Sequence, residues 1–242
     1  MGRRSVETRE RLEGVEARVG VVVLRHSVKG DDGELTDEGR RLAAEYWNDV
    51  FLGDMPQGDG KIFHSEIGRS RETAEIVGLG LSGVTLVEDS RLSESPYTDE
   101  AIARAGLSGG LWLREDKASD DLPGASILAE RMAAVVMEMA EGLGEVPDGE
   151  EEVVFCVSHV PAIMLFLKHA LSERWGDGDK ILQELGGFTK VLHGFQLLFE
   201  RRENEMGARI LVDVFDGNEF LKIEESLDIN KLKDLAALSG RI

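Results

Sequence analysis

VGVVVLRHS, residues 19–27, decides the fold. Its first six positions form a nearly unbroken aliphatic run, the pattern of a strand buried on both faces. Strands of that kind belong to parallel sheets covered by helices on each side. Arg25 and His26 come directly after it. Downstream, the spacing predicts a helix over Thr36 to Leu52, with Leu42, Ala43, Tyr46, Trp47, Val50 and Phe51 on one face. Thr36 is placed to cap it, and Asp37 and Glu38 suit the positive end of its dipole. Strand and helix patterns then alternate: strands at Lys61–His64, Val84–Val87 and Glu152–Val157, helices at Arg69–Val77, Ser126–Leu143 and Pro161–Leu171. Two late strands, about Thr189 to Phe199 and Arg209 to Phe215, read as a hairpin around the polar turn Arg201–Gly207. The expected architecture is α/β, a three-layer sandwich with a largely parallel central sheet and helices on both faces.

At 242 residues the chain reads as a single domain over 1–242. To it are added a polar N-terminal arm (1–18), a Gly-rich lid or insertion (about 106–124) and a helical tail (about 218–242). The net charge of −19 disfavours nucleic acid and anionic membrane surfaces as partners. No stretch has the length of a membrane helix, and the start of the chain has no apolar secretory segment, so a cytoplasmic location is expected. The single cysteine, Cys156, excludes an internal disulfide framework and a Cys-based zinc site.

Ligands of open α/β sheets bind beyond the carboxyl ends of the strands. Arg25 and His26, Ser65 to Arg69, and Ser158 and His159 all fall there. On so acidic a chain, a convergence of arginine and histidine is informative, because an anionic substrate needs a local basic pocket. A phosphoryl group in transfer spreads charge over three oxygens, and its catalysis is mostly positioning and electrostatic stabilisation. Guanidinium groups bind such oxygens bidentately, a neutral imidazole can attack phosphorus, and a carboxylic acid can protonate the departing alcohol.

The segments LRHS (24–27), LTDEGRRLA (35–43), HSEIGRSRETA (64–74) and VSHV (157–160) resemble, in order, the motifs of the histidine phosphatase superfamily, which includes the cofactor-dependent phosphoglycerate mutases. The resemblance implies that His26 is the nucleophile and Arg25 the neighbouring phosphate ligand. It likewise implies that Arg69 and His159 complete the phosphate pocket. RLSES (91–95) resembles the stretch supplying the proton donor, which points to Glu94. Relatives with Asp directly after the second histidine use that Asp; Val160 stands there in this chain. Asp31, Asp32, Glu34 and Glu66 are rival acids near the same mouth. No metal or other cofactor is implied.

The expected activity is a metal-independent phosphatase acting on a phosphorylated small molecule or phosphoprotein through a phosphohistidine. The alternatives are a phosphoglycerate-type mutase or a non-catalytic binder of phosphorylated ligands. Mutases continue the Arg-His pair with Gly-Glu-Ser and soon an Asn, whereas this chain reads Ser27-Val28-Lys29-Gly30-Asp31-Asp32-Gly33. His64 adjoins the pocket strand; His169, His193 and Cys156 read as structural. Gly78 to Gly83 matches G-x-G-x-x-G, but its helix comes before and its strand after, the reverse of the dinucleotide fingerprint.

Overall fold

Parallel neighbours are what the aliphatic run at 19–24 requires, and it has one. In a computed structural model, β1 (Ala17–Arg25) pairs parallel with β4 (Glu151–Ser158). β4 in turn pairs with β2 (Lys61–His64), and β2 with β3 (Thr85–Glu88), both parallel. On its other side β1 meets β5 (Gly194–Arg202), and beyond it lie β6 (Glu205–Phe215) and β7 (Phe220–Leu227), all antiparallel. The seven-stranded order is β3-β2-β4-β1-β5-β6-β7, a mixed sheet whose parallel half carries the early motifs. The structure describes residues 15–49, 60–81, 83–97, 124, 126–171, 191–203, 205–215 and 220–241. The expected arm up to residue 14 and the expected lid, save Gly124, lie outside them.

Alternation along β1 splits the core in two. Val22 and Leu24 face α1 (Asp37–Asp49) and α2 (Gly68–Gly78), packing with Ala43, Tyr46, Ala74 and Val77. Ala17, Val19, Val21 and Val23 face the other layer, formed by α3 (Ser126–Glu141), α4 (Val160–Ala170) and α5 (Ile229–Leu238). Helices therefore cover both faces. Among the described residues no helix is long and apolar enough to cross a membrane.

The tail departs from the helical expectation. Phe220–Leu227 is a strand, and helix begins only at Ile229, where the Asp228 carboxylate caps the Asn230 and Lys231 amides. Backbone pairing along β6, from Phe215↔Phe220 to Ala208↔Leu227, overrides the weak strand propensity of Lys222, Glu224 and Glu225. After Gly78 the helix ends and β3 starts at Thr85, so the G-x-G-x-x-G stretch has the helix before it and the strand after it.

Candidate active site

The parallel order sets the ends of β1, β4 and β2 side by side, each delivering a histidine-bearing segment. The His26 amide donates to the Ser158 carbonyl (3.0 Å), tying the first segment to the end of β4. Helix α1 then clamps the loop beyond His26. Thr36 Oγ1 accepts from the Gly39 amide (3.0 Å), the capping bond expected from sequence, and the Ser27 hydroxyl donates to the Gly39 carbonyl (2.8 Å). A Cβ on Gly39 would stand 2.3 Å from the Val28 carbonyl oxygen, so only glycine lets this turn sit on that loop. Ser27 also donates its amide to Thr73 Oγ1 (3.1 Å), whose hydroxyl donates to the Arg69 carbonyl (2.8 Å). The His26 segment and the Arg69 helix are thus locked to each other.

His26 is buried, and its ring has one consistent protonation pattern. Nδ1 lies 2.7 Å from the Ser27 carbonyl, which can only accept, so Nδ1 carries the proton. Nε2 is left with its lone pair and accepts from Arg69 Nε at 3.1 Å. Burial is the largest cause lowering the His26 pKa, to about 3. The Ser27 carbonyl opposes it, and the charges of Arg69, Arg25 and Lys29 reinforce it. A neutral imidazole with an available lone pair is the state a nucleophile needs.

Arg69 is itself buried and gathers the site. Its Nη2 donates to Glu94 Oε1 and lies 3.3 Å from His159 Nδ1. His159 stands just before α4, wholly buried, its ring centroid 5.1 Å from that of His26. Its pKa is pushed well below the ordinary value, by burial first and then by His26, Arg69, Lys29 and Arg25. Arg25 is half-buried. Burial lowers its pKa most, Glu94 opposes this and Arg69 adds to it, which places three of the charged groups within one field.

Glu94 is brought in by a pinned turn. Asp89 accepts from the Arg91 amide (2.9 Å) and pairs with its guanidinium, which also reaches Glu138 of α3. Leu92 is buried, and its carbonyl accepts from the Ser158 hydroxyl (2.7 Å). Glu94 Oε1 ends 3.8 Å from His159 Nδ1. The five residues singled out in the sequence, Arg25, His26, Arg69, Glu94 and His159, therefore converge.

The rival acids do not share this position. Asp31, Asp32, Glu34 and Glu66 are exposed, and Asp32 accepts from the Glu34 amide in its own turn (3.1 Å). His64 is buried with Nδ1 on the Ser65 carbonyl (2.8 Å). Cys156 is buried against Met139, and burial pushes its thiol pKa far up. Two residues were not singled out by sequence. Ser65 Oγ lies 2.8 Å from His159 Nε2, and Lys29 adds positive charge near both histidines. Their only signal was proximity to the motifs: Ser65 directly after a strand, Lys29 three residues beyond His26. Among the described residues, no three His, Cys, Asp or Glu side chains cluster as a metal centre would need.

No curated protein matches the chain. Solved structures similar to it include a phosphoglycerate mutase from Plasmodium falciparum, at 17% identity and TM-score 0.40, covering 86% of this chain and 98% of the other. A Klebsiella sp. ASR1 phytase matches at 11% identity and TM-score 0.41, covering 95% and 96%. A protein histidine phosphatase, SixA, solved with tungstate, matches at 14% and 0.33, covering 86% and 96%. The family profile described as histidine phosphatase superfamily (branch 1) matches residues 18–195, the span that holds every residue of the convergent site. The chain belongs to the histidine phosphatase superfamily, branch 1.

Proposed function

We propose that the chain is a phosphatase that hydrolyses a phosphomonoester through a phosphohistidine on His26. One observation carries the reading: a neutral imidazole presents Nε2 to a pocket where Arg69 is already within 3.1 Å. The phosphoryl group enters between the histidines, with Arg25, Arg69 and His159 on its non-reacting oxygens. Its oxygen takes over the Arg69 N–H groups now held by His26 and Glu94. Glu94, displaced from Arg69, takes up the proton of the bound phosphomonoester monoanion. As Nε2 attacks phosphorus and the bond to the ester oxygen breaks, Glu94 delivers that proton to the departing oxygen. Water then attacks the phosphohistidine, Glu94 takes up its proton, and inorganic phosphate leaves with His26 restored.

A mutase would return the phosphoryl group to a held acceptor. The Gly-Glu-Ser and Asn that mutases carry after the Arg-His pair are replaced here by Ser27 to Gly33. The test is chemical trapping. Rapid quench with a 32P-labelled aryl phosphate should leave acid-labile, base-stable label on the peptide containing His26. Turnover with no such label would remove the covalent step. Interconversion of 2- and 3-phosphoglycerate faster than release of phosphate would replace the phosphatase by a mutase.

A further inference from the structure

The far nitrogens of the two site histidines are held differently. His26 Nδ1 meets a backbone carbonyl, which can only accept. His159 Nε2 meets the hydroxyl of Ser65, which can give or receive. We infer that Ser65 is a positioning residue that holds His159 in its Nδ1–H tautomer, so that a neutral imidazole donates a hydrogen bond to the phosphoryl group; this rests on the phosphatase reading above.

Counting protons chooses between the tautomers. Ser65 is fully buried at the end of β2, and its place is fixed. Its amide donates to Ser70 Oγ (3.2 Å), Ser70 Oγ donates to the Val157 carbonyl (2.8 Å), and its own carbonyl accepts from His64 Nδ1 (2.8 Å). Its Oγ accepts from the Ile67 amide (3.4 Å) and lies 2.8 Å from His159 Nε2. If His159 carried its proton on Nε2, Ser65 Oγ would receive two donors. Among the contacts of the described residues, its own hydroxyl proton would then have no acceptor, in a residue with no exposure, which is the costly case. If Ser65 donates to Nε2, the dry side is satisfied and the ring proton sits on Nδ1.

On Nδ1 the proton faces the pocket. Arg69 Nη2, which can only donate, stands 3.3 Å away, so with the proton on Nδ1 the two groups face one another as donors, and Glu94 Oε1 stands 3.8 Å away. Two N–H donors, one from Arg69 and one from His159, thus converge on a single spot, which suits an anion's oxygen. The opposed tautomers divide the work: His26 shows a lone pair to phosphorus, and His159 shows an N–H to one of its oxygens. The charged groups around His159 are Arg69, Arg25, Lys29 and Glu94. Arg69 and Glu94 both lie on the Nδ1 side and pull in opposite senses, the guanidinium toward a lone pair and the carboxylate toward an N–H, whereas the Ser65 hydroxyl meets Nε2.

Nitrogen-15 NMR of histidine-labelled protein tests this without relying on turnover. In wild-type protein, free and with orthovanadate, His159 should show a pyrrole-type Nδ1 and a pyridine-type Nε2. The reverse pattern overturns the proposal, whatever the variants do. Ser65→Ala should mix the two tautomers, weaken orthovanadate binding and lower kcat/KM, by about 10–100-fold, the scale seen when a histidine's orienting partner is lost. Ser65→Thr, which keeps the hydroxyl, should restore the wild-type nitrogen pattern. An unchanged tautomer and unchanged vanadate affinity in Ser65→Ala would also overturn it. The expected NMR pattern in a wild-type protein with no phosphatase turnover would instead sink the phosphatase reading alone.

Discussion

Two clusters in this molecule set arginines around a buried or half-buried glutamate, and they are built to opposite ends. At the base of the antiparallel half, Glu200 is 6% exposed, and both of its oxygens are taken. Arg18 (2.8 Å) and Arg209 (3.1 Å) bond one oxygen, Arg202 (3.1 Å) the other. Arg18 and Arg209 also meet Glu151 and Glu224, so three cations face three carboxylates. At the mouth of the parallel half, Arg25, Arg69 and Lys29 share a field with Glu94. There Arg69 spends one of its contacts on a neutral imidazole nitrogen, His26 Nε2, a far weaker acceptor than a phosphate oxygen. In the first cluster both oxygens of the buried glutamate are engaged and the charges balance, although Arg18 Nε and Arg209 Nε are left without a hydrogen-bond partner among the described residues. In the second, Arg69 gives an N–H to a neutral nitrogen, a contact that an anion's oxygen would improve on, and this sets the two clusters apart more sharply than the number of arginines does.

The strongest way to break this contrast is at the nucleophile. His26→Ala should lower kcat on p-nitrophenyl phosphate by on the order of 10⁵-fold, the scale of removing a covalent nucleophile, while Glu200→Gln stays near wild type. Comparable losses in both would mean that the clusters are not distinct in role. Arg69→Ala should weaken orthovanadate binding and cut kcat/KM by about 10²–10³-fold, as losing one charge-stabilising donor does; Arg209→Ala should leave both unchanged. Glu94→Gln sharpens the proton question. Alkyl phosphates should lose about 10²-fold more than p-nitrophenyl phosphate, whose leaving group needs no acid. Equal small losses would move the donor role to Glu66, Asp31, Asp32 or Glu34.

Smaller effects belong to the Glu200 cluster. Burial alone would raise the Glu200 pKa, but the hydrogen bonds from Arg18 and Arg202 and the charges of Arg209 and Arg18 hold it below the usual carboxylate value. A depressed folded-state pKa gives stability that is present above the unfolded value of about 4.3 and is lost as pH falls through the lower folded one. Glu200→Gln should therefore cost about 1–3 kcal/mol at pH 7 in urea unfolding, with the difference shrinking below about pH 4. A constant difference across that window would contradict the assignment. Least of all, EDTA should leave the rate unchanged, since arginine and histidine supply the positive charge. Activity that vanishes with EDTA and returns with Mg²⁺ or Zn²⁺ would overturn the mechanism.

How much of a feature is legible in the sequence depends on how local its cause is. The buried strand at Ala17–Arg25, the capped helix at Asp37–Asp49 and the strand Lys61–His64 are each written in their own residues, and each was legible to within a few positions. The antiparallel half was legible as a hairpin, but β7 was not, because Phe220–Leu227 becomes a strand through β6 rather than through its own composition. The site divides along the same line. Arg25, His26, Arg69 and His159 could be placed by strand ends and motifs. The Ser65 hydroxyl on His159 joins residues 94 apart in sequence, and no local pattern announces such a contact. That Glu94, and not Asp31 or Glu66, reaches Arg69 depends likewise on a turn held by Glu138 and Ser158 from two other elements.

The lock between Ser27 and Thr73 is also a clock. The Ser27 amide is bonded to a hydroxyl that is itself bonded to the Arg69 carbonyl, and both side chains are fully buried. Deuterium from solvent can reach that amide only when α2 and the segment behind His26 part, so its exchange rate counts how often the pocket comes undone. An oxyanion bound across His26 and Arg69 holds the two together and should slow exchange by the factor one plus its concentration over its Kd. Mass spectrometry of one short peptide would then report pocket occupancy for any candidate ligand, cleavable or not.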